Sequence, residues 1–191
     1  MTRALLKILE SRGVPKTILY SAGLLLLAAS ILAVSGCYET YVEVIDASSA
    51  VAVTGAIGHY TYEAGGTVTI SAVPDSNDYR FREVNKDNEV STGYLRIVPL
   101  KGDIYIVQAK YDDDDVYYLS FYQFSNDRHF KPMEPDADEK KLDQLAQQYG
   151  VTIDRDFDIV PYLNGSRSTI MAFLRGHASL PFSSGKKHIA Q

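Results

Sequence analysis

A run of seventeen residues without a charge, Ile18–Val34, divides this 191-residue chain into two unequal parts. Four basic residues and one acid precede the run, and this charge pattern directs the downstream part of a chain to the outward side of a membrane. The run is longer than the usual apolar core of a secretory signal, about 7–15 residues, and shorter than the roughly 20 residues of a spanning helix. Its length therefore leaves open both a cleaved signal and a retained membrane anchor.

Small residues end the apolar run and lead to Cys37, the single cysteine of the chain. The sequence Val34-Ser35-Gly36-Cys37 resembles the lipobox of bacterial lipoproteins. This resemblance implies that residues 1–36 are a signal peptide and that Cys37 is the lipidation site, with acyl chains that hold the mature chain in a membrane. The residue after Cys37 is Tyr38. In that family an Asp at this position disfavours transfer to the outer membrane, so Tyr38 implies the outer membrane where one exists. The alternative is a small buried cysteine at the end of a retained spanning helix.

The composition of the part after the signal excludes several classes of protein. Residues 1–36 contain four of the 19 Lys and Arg and one of the 24 Asp and Glu, so the remaining 155 residues carry a net charge of −8. An acidic surface argues against nucleic acid as a partner. With one cysteine no disulfide can form within the chain, so a hydrophobic core must stabilise the fold. Thirteen of the 14 tyrosines lie in this part, and tyrosine among alternating Val, Ile and Thr predicts a β-rich protein.

Residues 37–111 are predicted to form a small antiparallel β module. Its clearest strand is Thr67–Val73, where apolar and hydroxyl side chains alternate with period two. Pro74–Asp78 has the composition of a turn. Further strands are predicted at 41–45, 50–53, 79–84, 94–99 and 104–111.

Part of this module resembles the divergent internalin B-repeat-like module of bacterial extracellular proteins. The resemblance covers about residues 55–111 and departs from the family pattern at Asp78 and at Val84, where that pattern has glycine and tryptophan. It implies a compact β-rich spacer or binding unit without enzymatic activity. The residues that carry it are Tyr62, Gly65, Val68-Thr69-Ile70, Ala72, Pro74, Tyr79, Phe81, Val90-Ser91, Tyr94, Ile104, Ile106, Ala109 and Tyr111.

Asp112–Asp115 follows as a run of four acids that cannot be buried together, so it is predicted to be an exposed acidic linker. Calcium is the alternative use of such a run, because hard oxygen ligands suit Ca²⁺. Successive side chains of an extended segment point to opposite sides and converge poorly on one ion. The solvated linker is therefore the favoured interpretation.

Residues 116–182 are predicted to form an α+β module, a hairpin followed by two helices. The strand 116–124 is so aromatic that both of its faces must be covered, and 129–133 pairs back on it. One helix begins near Asp136 and ends at Gly150, and Ser166 caps a second helix over 167–177. This order of elements resembles a C-terminal segment of uncharacterised bacterial exported proteins. Residues 157–160 are a possible strand, and 183–191 are predicted to be a disordered tail.

Candidate catalytic and metal-binding motifs are weak. Asp154–Asp158 resembles the start of an EF-hand loop, but Ile159 and Gly165 occupy the positions that require Gly and Glu. The four histidines lie far apart without metal-ligand spacing, and His177 near a helix end is interpreted as a dipole-compensating or packing residue. We therefore predict no cofactor, no metal and no catalytic residue.

The sequence thus predicts a β-rich α+β lipoprotein of the bacterial cell envelope, anchored through Cys37 on the outward side of a membrane. We expect a non-enzymatic binding or spacer role, with an envelope protein or a glycan as possible partner. An accessory subunit of an envelope complex is the alternative. A hydrolase is the third hypothesis, and it would need a site assembled only in three dimensions.

Overall fold

The computed structural model of the protein describes residues 37–62, 65–124, 129–155, 160–184 and 188–190. It is β-rich with two helices, which confirms the predicted β-rich α+β class. The helices are α1 (Glu139–Tyr149) and α2 (Arg167–His177). The strands are β1 (Tyr38–Thr40), β2 (Gly58–Thr61), β3 (Gly66–Ala72), β4 (Tyr79–Asn85), β5 (Val90–Lys101), β6 (Ile104–Tyr111), β7 (Tyr117–Phe124), β8 (His129–Pro135), β9 (Thr152–Asp154), β10 (Tyr162–Asn164), β11 (Phe182–Ser184) and β12 (His188–Ala190).

All twelve of these strands belong to one sheet. Strands β2 to β8 pair antiparallel in chain order, and β12 pairs with both β8 and β2, so the sheet closes on itself. Strand β1 occupies the remaining length of β7 and pairs in parallel with β10, which pairs with β9. Strand β11 pairs with β8.

The closure divides the sheet into an inner and an outer face, because successive side chains of a strand point to opposite sides. On β7, Leu119 and Phe121 point outward to the helices, whereas Tyr118, Ser120 and Tyr122 point inward. All five are buried, which confirms the expectation that this strand is covered on both faces. We call the two buried regions the helix-covered core and the enclosed interior.

The helix-covered core lies between α1, α2 and the outer face. It is mainly aliphatic, and seven of its residues have no exposed surface: Ile45, Ile106, Leu119, Phe121, Ile170, Phe173 and Leu174. The enclosed interior is more aromatic. Its buried members include Tyr60, Val68, Ile70, Tyr79, Phe81, Ile97, Val107, Ala109, Tyr111, Tyr118, Tyr122 and Phe130.

Close packing inside the sheet depends on Gly93 of β5. A Cβ atom at this position would lie 2.2 Å from the carbonyl oxygen of Lys110 and 2.6 Å from the ring of Phe81. The Phe81 ring packs edge-on against Tyr111, with 5.0 Å between the centroids. Glycine is therefore required here, because only a residue without a side chain lets the Phe81 ring pack directly against the backbone.

Gly150 ends α1 and Ser166 caps α2, as the sequence predicts, whereas α1 begins after the cap Asp138, two residues beyond the predicted Asp136. The carboxylate of Asp138 accepts a hydrogen bond from the Lys141 amide at the start of α1, and Gly150 ends that helix with φ of 68°. The hydroxyl of Ser166 accepts from the Thr169 amide at the start of α2. The two helices meet where Gly176 lies against the ring of Tyr149.

The predicted segment boundaries fall inside this single sheet. Asp112–Asp115 forms the turn between β6 and β7, which are hydrogen-bonded neighbours, so residues 37–111 and 116–182 share one sheet. The predicted strands at 41–45 and 50–53 are wrong, because these residues are irregular and precede a short 3-10 helix, Thr54–Ala56. The tail predicted to be disordered contributes β12 and most of β11. The possible strand at 157–160 falls mostly on residues 156–159, which lie outside the described residues.

Candidate functional site

Cys37 lies at the point where the chain enters the sheet. The residue is 7% exposed, and its thiol points to the enclosed interior, with Sγ 3.0 Å from the hydroxyl oxygen of Ser120 on β7. Burial raises the pKa of the thiol to about 12, and the hydrogen bond with Ser120 only partly offsets this. In this position the thiol is protonated and is a poor nucleophile.

A lipid on Cys37 requires a different position of the sulfur, because a diacylglyceryl group cannot occupy a nearly closed interior. Cys37 precedes β1 and takes part in none of its ladder pairs, which begin with Tyr38 opposite Leu119. The Glu39 amide also donates to the carbonyl of Pro161. The sulfur of Cys37 can therefore turn outward while β1 keeps its pairs with β7 and β10.

A carboxyl group, Glu83, is buried in the enclosed interior on β4. It is 5% exposed, and the Tyr111 hydroxyl donates to its Oε2 over 3.3 Å. Burial raises the pKa of Glu83 to about 7, an effect that the Tyr111 hydrogen bond partly opposes. Burial raises the pKa of Tyr62 and of Tyr111, and the charge of Glu83 raises both further. In the part of the chain that the structure describes, Glu83 has no cationic partner.

A histidine, His177, is buried in the helix-covered core at the end of α2. Its Nδ1 lies 3.1 Å from the Tyr38 hydroxyl, and its Nε2 has no hydrogen-bond partner among the described residues. The rings of Phe121 and Phe173 pack around it at 5.7 and 5.6 Å between centroids. Burial lowers the pKa of His177 to about 4, so the ring is neutral at physiological pH. This environment is that of a packing residue.

The other sequence candidates do not converge on a common site. His59 is exposed and bonds Thr69 over 2.8 Å, whereas the side chains of His129 and His188 lie outside the described structure. Asp112 pairs with Arg80, and Asp114 accepts from the Tyr118 hydroxyl, so these two acids of the turn face different partners. Among the described residues, no group of three or more His, Cys, Asp or Glu could hold a metal ion.

A groove of about 660 Å³ lies between α2, the loop after β1 and a segment of β5. Its volume is in the range of small-ligand sites, about 300–1,000 Å³. The apolar part of its lining comes from the loop, from β5 and from the middle of the helix. These apolar residues are Val44, Val51, Val98, Pro99 and Met171.

Polar residues line the two ends of this groove. At one end, Arg167 donates to the carbonyl of Glu43 over 2.7 Å and pairs with Asp46 over 3.0 Å. Hydrogen bonds from Ser48 and Ser49, together with Arg167, lower the pKa of Asp46 to about 2. The other end carries Arg175, which is exposed and has no ion pair within the described ranges.

A second charge network fixes the loop that forms one wall of the groove. Arg96 of β5 forms ion pairs with Asp78 and Glu43 and donates to the carbonyl of Ile45. The amide oxygen of Gln108, buried on β6, accepts from the amides of Val44 and Ile45, each over 2.7 Å. The loop is therefore held against the outer face of the sheet although it has no regular secondary structure.

Comparisons with known proteins give no relative: no family model, no curated protein and no solved structure matches this chain. Among the described residues, neither α1 nor α2 is long and apolar enough to cross a membrane. The uncharged run Ile18–Val34 lies outside the described residues.

Sequence reasoning missed both Glu83 and the groove. The signal for Glu83 was present, since period-two alternation in β4 places it on the face of Tyr79 and Phe81. The groove gives no such signal, because its walls come from residues 44–51, 98–99 and 166–175. Only the fold brings these segments together.

Proposed function

We propose that this protein is a bacterial envelope lipoprotein whose β-rich domain binds a partner and is held by acyl chains on Cys37. The domain faces outward from the membrane, and in an envelope with two membranes it is anchored in the outer one. Its role is non-enzymatic binding. The observation that carries this proposal is the succession of a basic start, an uncharged run and Val34-Ser35-Gly36-Cys37.

The beginning of the fold agrees with an anchor at this cysteine. Strand β1 starts at Tyr38, so only one peptide bond separates the lipid-bearing residue from the sheet. An acyl chain contributes about 0.8 kcal/mol per buried methylene, and stable attachment needs two or more chains. A diacylglyceryl cysteine with an acylated amine would therefore hold the domain close to the bilayer surface without basic residues.

The environments of the reactive groups favour binding over catalysis. The imidazole of His177 contacts Tyr38 and aromatic rings, and the Cys37 thiol contacts Ser120. Glu83 faces tyrosines inside the sheet. The groove on the outer face instead combines apolar walls with charged ends, which is the composition of a recognition site.

Metabolic labelling with radioactive palmitate in a bacterial host tests the anchor. We expect the wild-type chain to be labelled and to sediment with membranes. Cys37→Ser should lose the label, because the ester-bearing diacylglycerol is attached through sulfur. Equal labelling of Cys37→Ser would refute the proposal.

Ser120→Ala is the matched control for this experiment. It removes the hydrogen-bond partner of the Cys37 thiol but leaves the lipidation sequence intact. We expect Ser120→Ala to be labelled as strongly as the wild type. A wild-type chain that stays in membranes without label, with residues 1–36 still attached, would indicate the retained spanning anchor instead.

A further inference from the structure

The groove between α2 and the loop after β1 has a repeated arrangement along the helix. Arg167, Met171 and Arg175 are spaced by four residues, so they lie along one face of α2. With a rise of about 1.5 Å per residue, the two arginines are separated by about 12 Å along the helix axis. An extended chain of roughly four residues spans this distance.

The two arginines differ in their pairing. Arg167 is engaged by the carbonyl of Glu43 and the carboxylate of Asp46. Arg175 has no ion pair in the part of the chain that the structure describes, although the protein is acidic overall. A guanidinium group can bind a carboxylate with two parallel hydrogen bonds. The Arg175 end of the groove is therefore complementary to an anion.

The opposite end is complementary to hydrogen-bond donors. The carboxylate of Asp46 is ionised and has about four acceptor positions for hydrogen bonds. Ser48 and Ser49 occupy two of these positions and Arg167 a third, which leaves one for a ligand. A peptide backbone offers N–H donors to such an end, whereas an acyl chain offers none. The exposed rim residues, among them Ser166 and Ser168, leave the groove open to water, which would also leave an acyl chain poorly covered.

We propose that this groove binds the C-terminal segment of a partner protein, about four apolar residues that end in a free carboxylate at Arg175. The apolar side chains contact Val51, Val98 and Met171, and the carboxylate contacts the guanidinium group. This inference rests on the proposed binding function and names the chemistry of the partner.

The experiment uses the full-length protein, purified from membranes in detergent and immobilised. It is exposed to two pools of N-acetylated tetrapeptides of Ala, Val, Leu and Ile, one with a free carboxylate and one with a carboxamide. Mass spectrometry identifies the retained peptides. We expect retention from the carboxylate pool above that from the amide pool.

The decisive variant is Arg175→Gln, with Arg82→Gln as its control. Arg82 is an exposed arginine of β4 that does not line the groove, so the control makes the same change of charge. Loss of a charged hydrogen bond should weaken binding of the retained peptides roughly tenfold or more in Arg175→Gln and leave Arg82→Gln unchanged.

Three results would overturn the assignment: equal retention of the two pools, no retention from either pool, or wild-type affinity of Arg175→Gln. Retention of sodium decanoate without any peptide would assign the groove to an acyl chain instead. None of these results depends on palmitate labelling of Cys37, so failure of the groove and failure of the anchor are distinguishable.

Discussion

The two buried regions on either side of the sheet differ in chemistry. The helix-covered core is largely aliphatic around the neutral imidazole of His177, whereas the enclosed interior combines tyrosine rings with Glu83, Ser120 and the Cys37 thiol. Burial acts on the two titratable side chains in opposite directions, because it disfavours the charged form of each. It lowers the pKa of His177 and raises that of Glu83.

The two regions therefore differ in the group that burial affects, an imidazole in one and a carboxyl group in the other. The helix-covered core gains free energy from apolar burial, at about 25 cal/mol per Å². Both regions bury polar groups, such as His177 in the helix-covered core and Glu83 in the enclosed interior, and each of these must find a partner or destabilise the fold.

The largest expected effect is in the helix-covered core. Phe173 has no exposed surface and contacts both Tyr38 and His177. Phe173→Ala should lower the free energy of unfolding by about 3–5 kcal/mol, from lost burial and the cavity left behind. Chemical denaturation measures this value. Val90→Ala, at a position that is 51% exposed, is the control and should change it by less than about 0.5 kcal/mol.

The sequence predicted the longer elements of the fold well, because these carry local signals. Alternation defined β3 and β4, Gly150 marked the end of α1, and Ser166 marked the start of α2. Strands β1, β9 and β10 have three residues each, too few for a period to show. Their positions depend on pairing with distant segments, such as β1 with β7 and β10.

The candidate sites were less predictable than the fold. The motif that ends at Cys37 is contiguous, so it is visible in the sequence. The arrangement around it is not visible, because Cys37 and Ser120 are 83 positions apart. The groove likewise joins residues such as Asp46 and Arg167, which are 121 positions apart.

Removal of the buried charge should stabilise the enclosed interior at neutral pH. The pKa of Glu83 rises from 4.5 to about 7 on folding, because the fold favours the protonated carboxyl group. The contribution of Glu83 to stability is therefore complete below pH 4.5 and is lost as the pH rises through 7. Glu83→Gln should therefore raise the free energy of unfolding at pH 8 by up to about 3 kcal/mol. At pH 4 it should change little. A variant that is destabilised at pH 8 would show that the carboxylate itself stabilises the fold.

The histidine should give the opposite pH dependence in the other core. The pKa of His177 falls from 6.5 to about 4 on folding, so its contribution is complete above pH 6.5 and is lost as the pH falls through 4. Acidification from pH 6.5 to 4 should cost the wild type up to about 3 kcal/mol through this residue. His177→Leu should remove that loss in thermal denaturation at a series of pH values. An unchanged acid limb in His177→Leu would contradict the assignment.

The smallest effect concerns the contact between Cys37 and Ser120. In protein without lipid, Ser120→Ala should lower the free energy of unfolding by about 1 kcal/mol, because the buried thiol loses its hydrogen bond. In lipidated protein the sulfur lies outside the interior, and the same substitution should have less effect. Equal losses in both forms would indicate that the sulfur stays buried.

Mass spectrometry of the N-terminal peptide of the protein isolated from bacterial membranes directly tests whether Cys37 is the lipidated first residue of the mature chain. We expect the peptide to begin at Cys37 and to carry a diacylglyceryl group on sulfur. A peptide that retains residues 1–36 and an unmodified Cys37 thiol would contradict it.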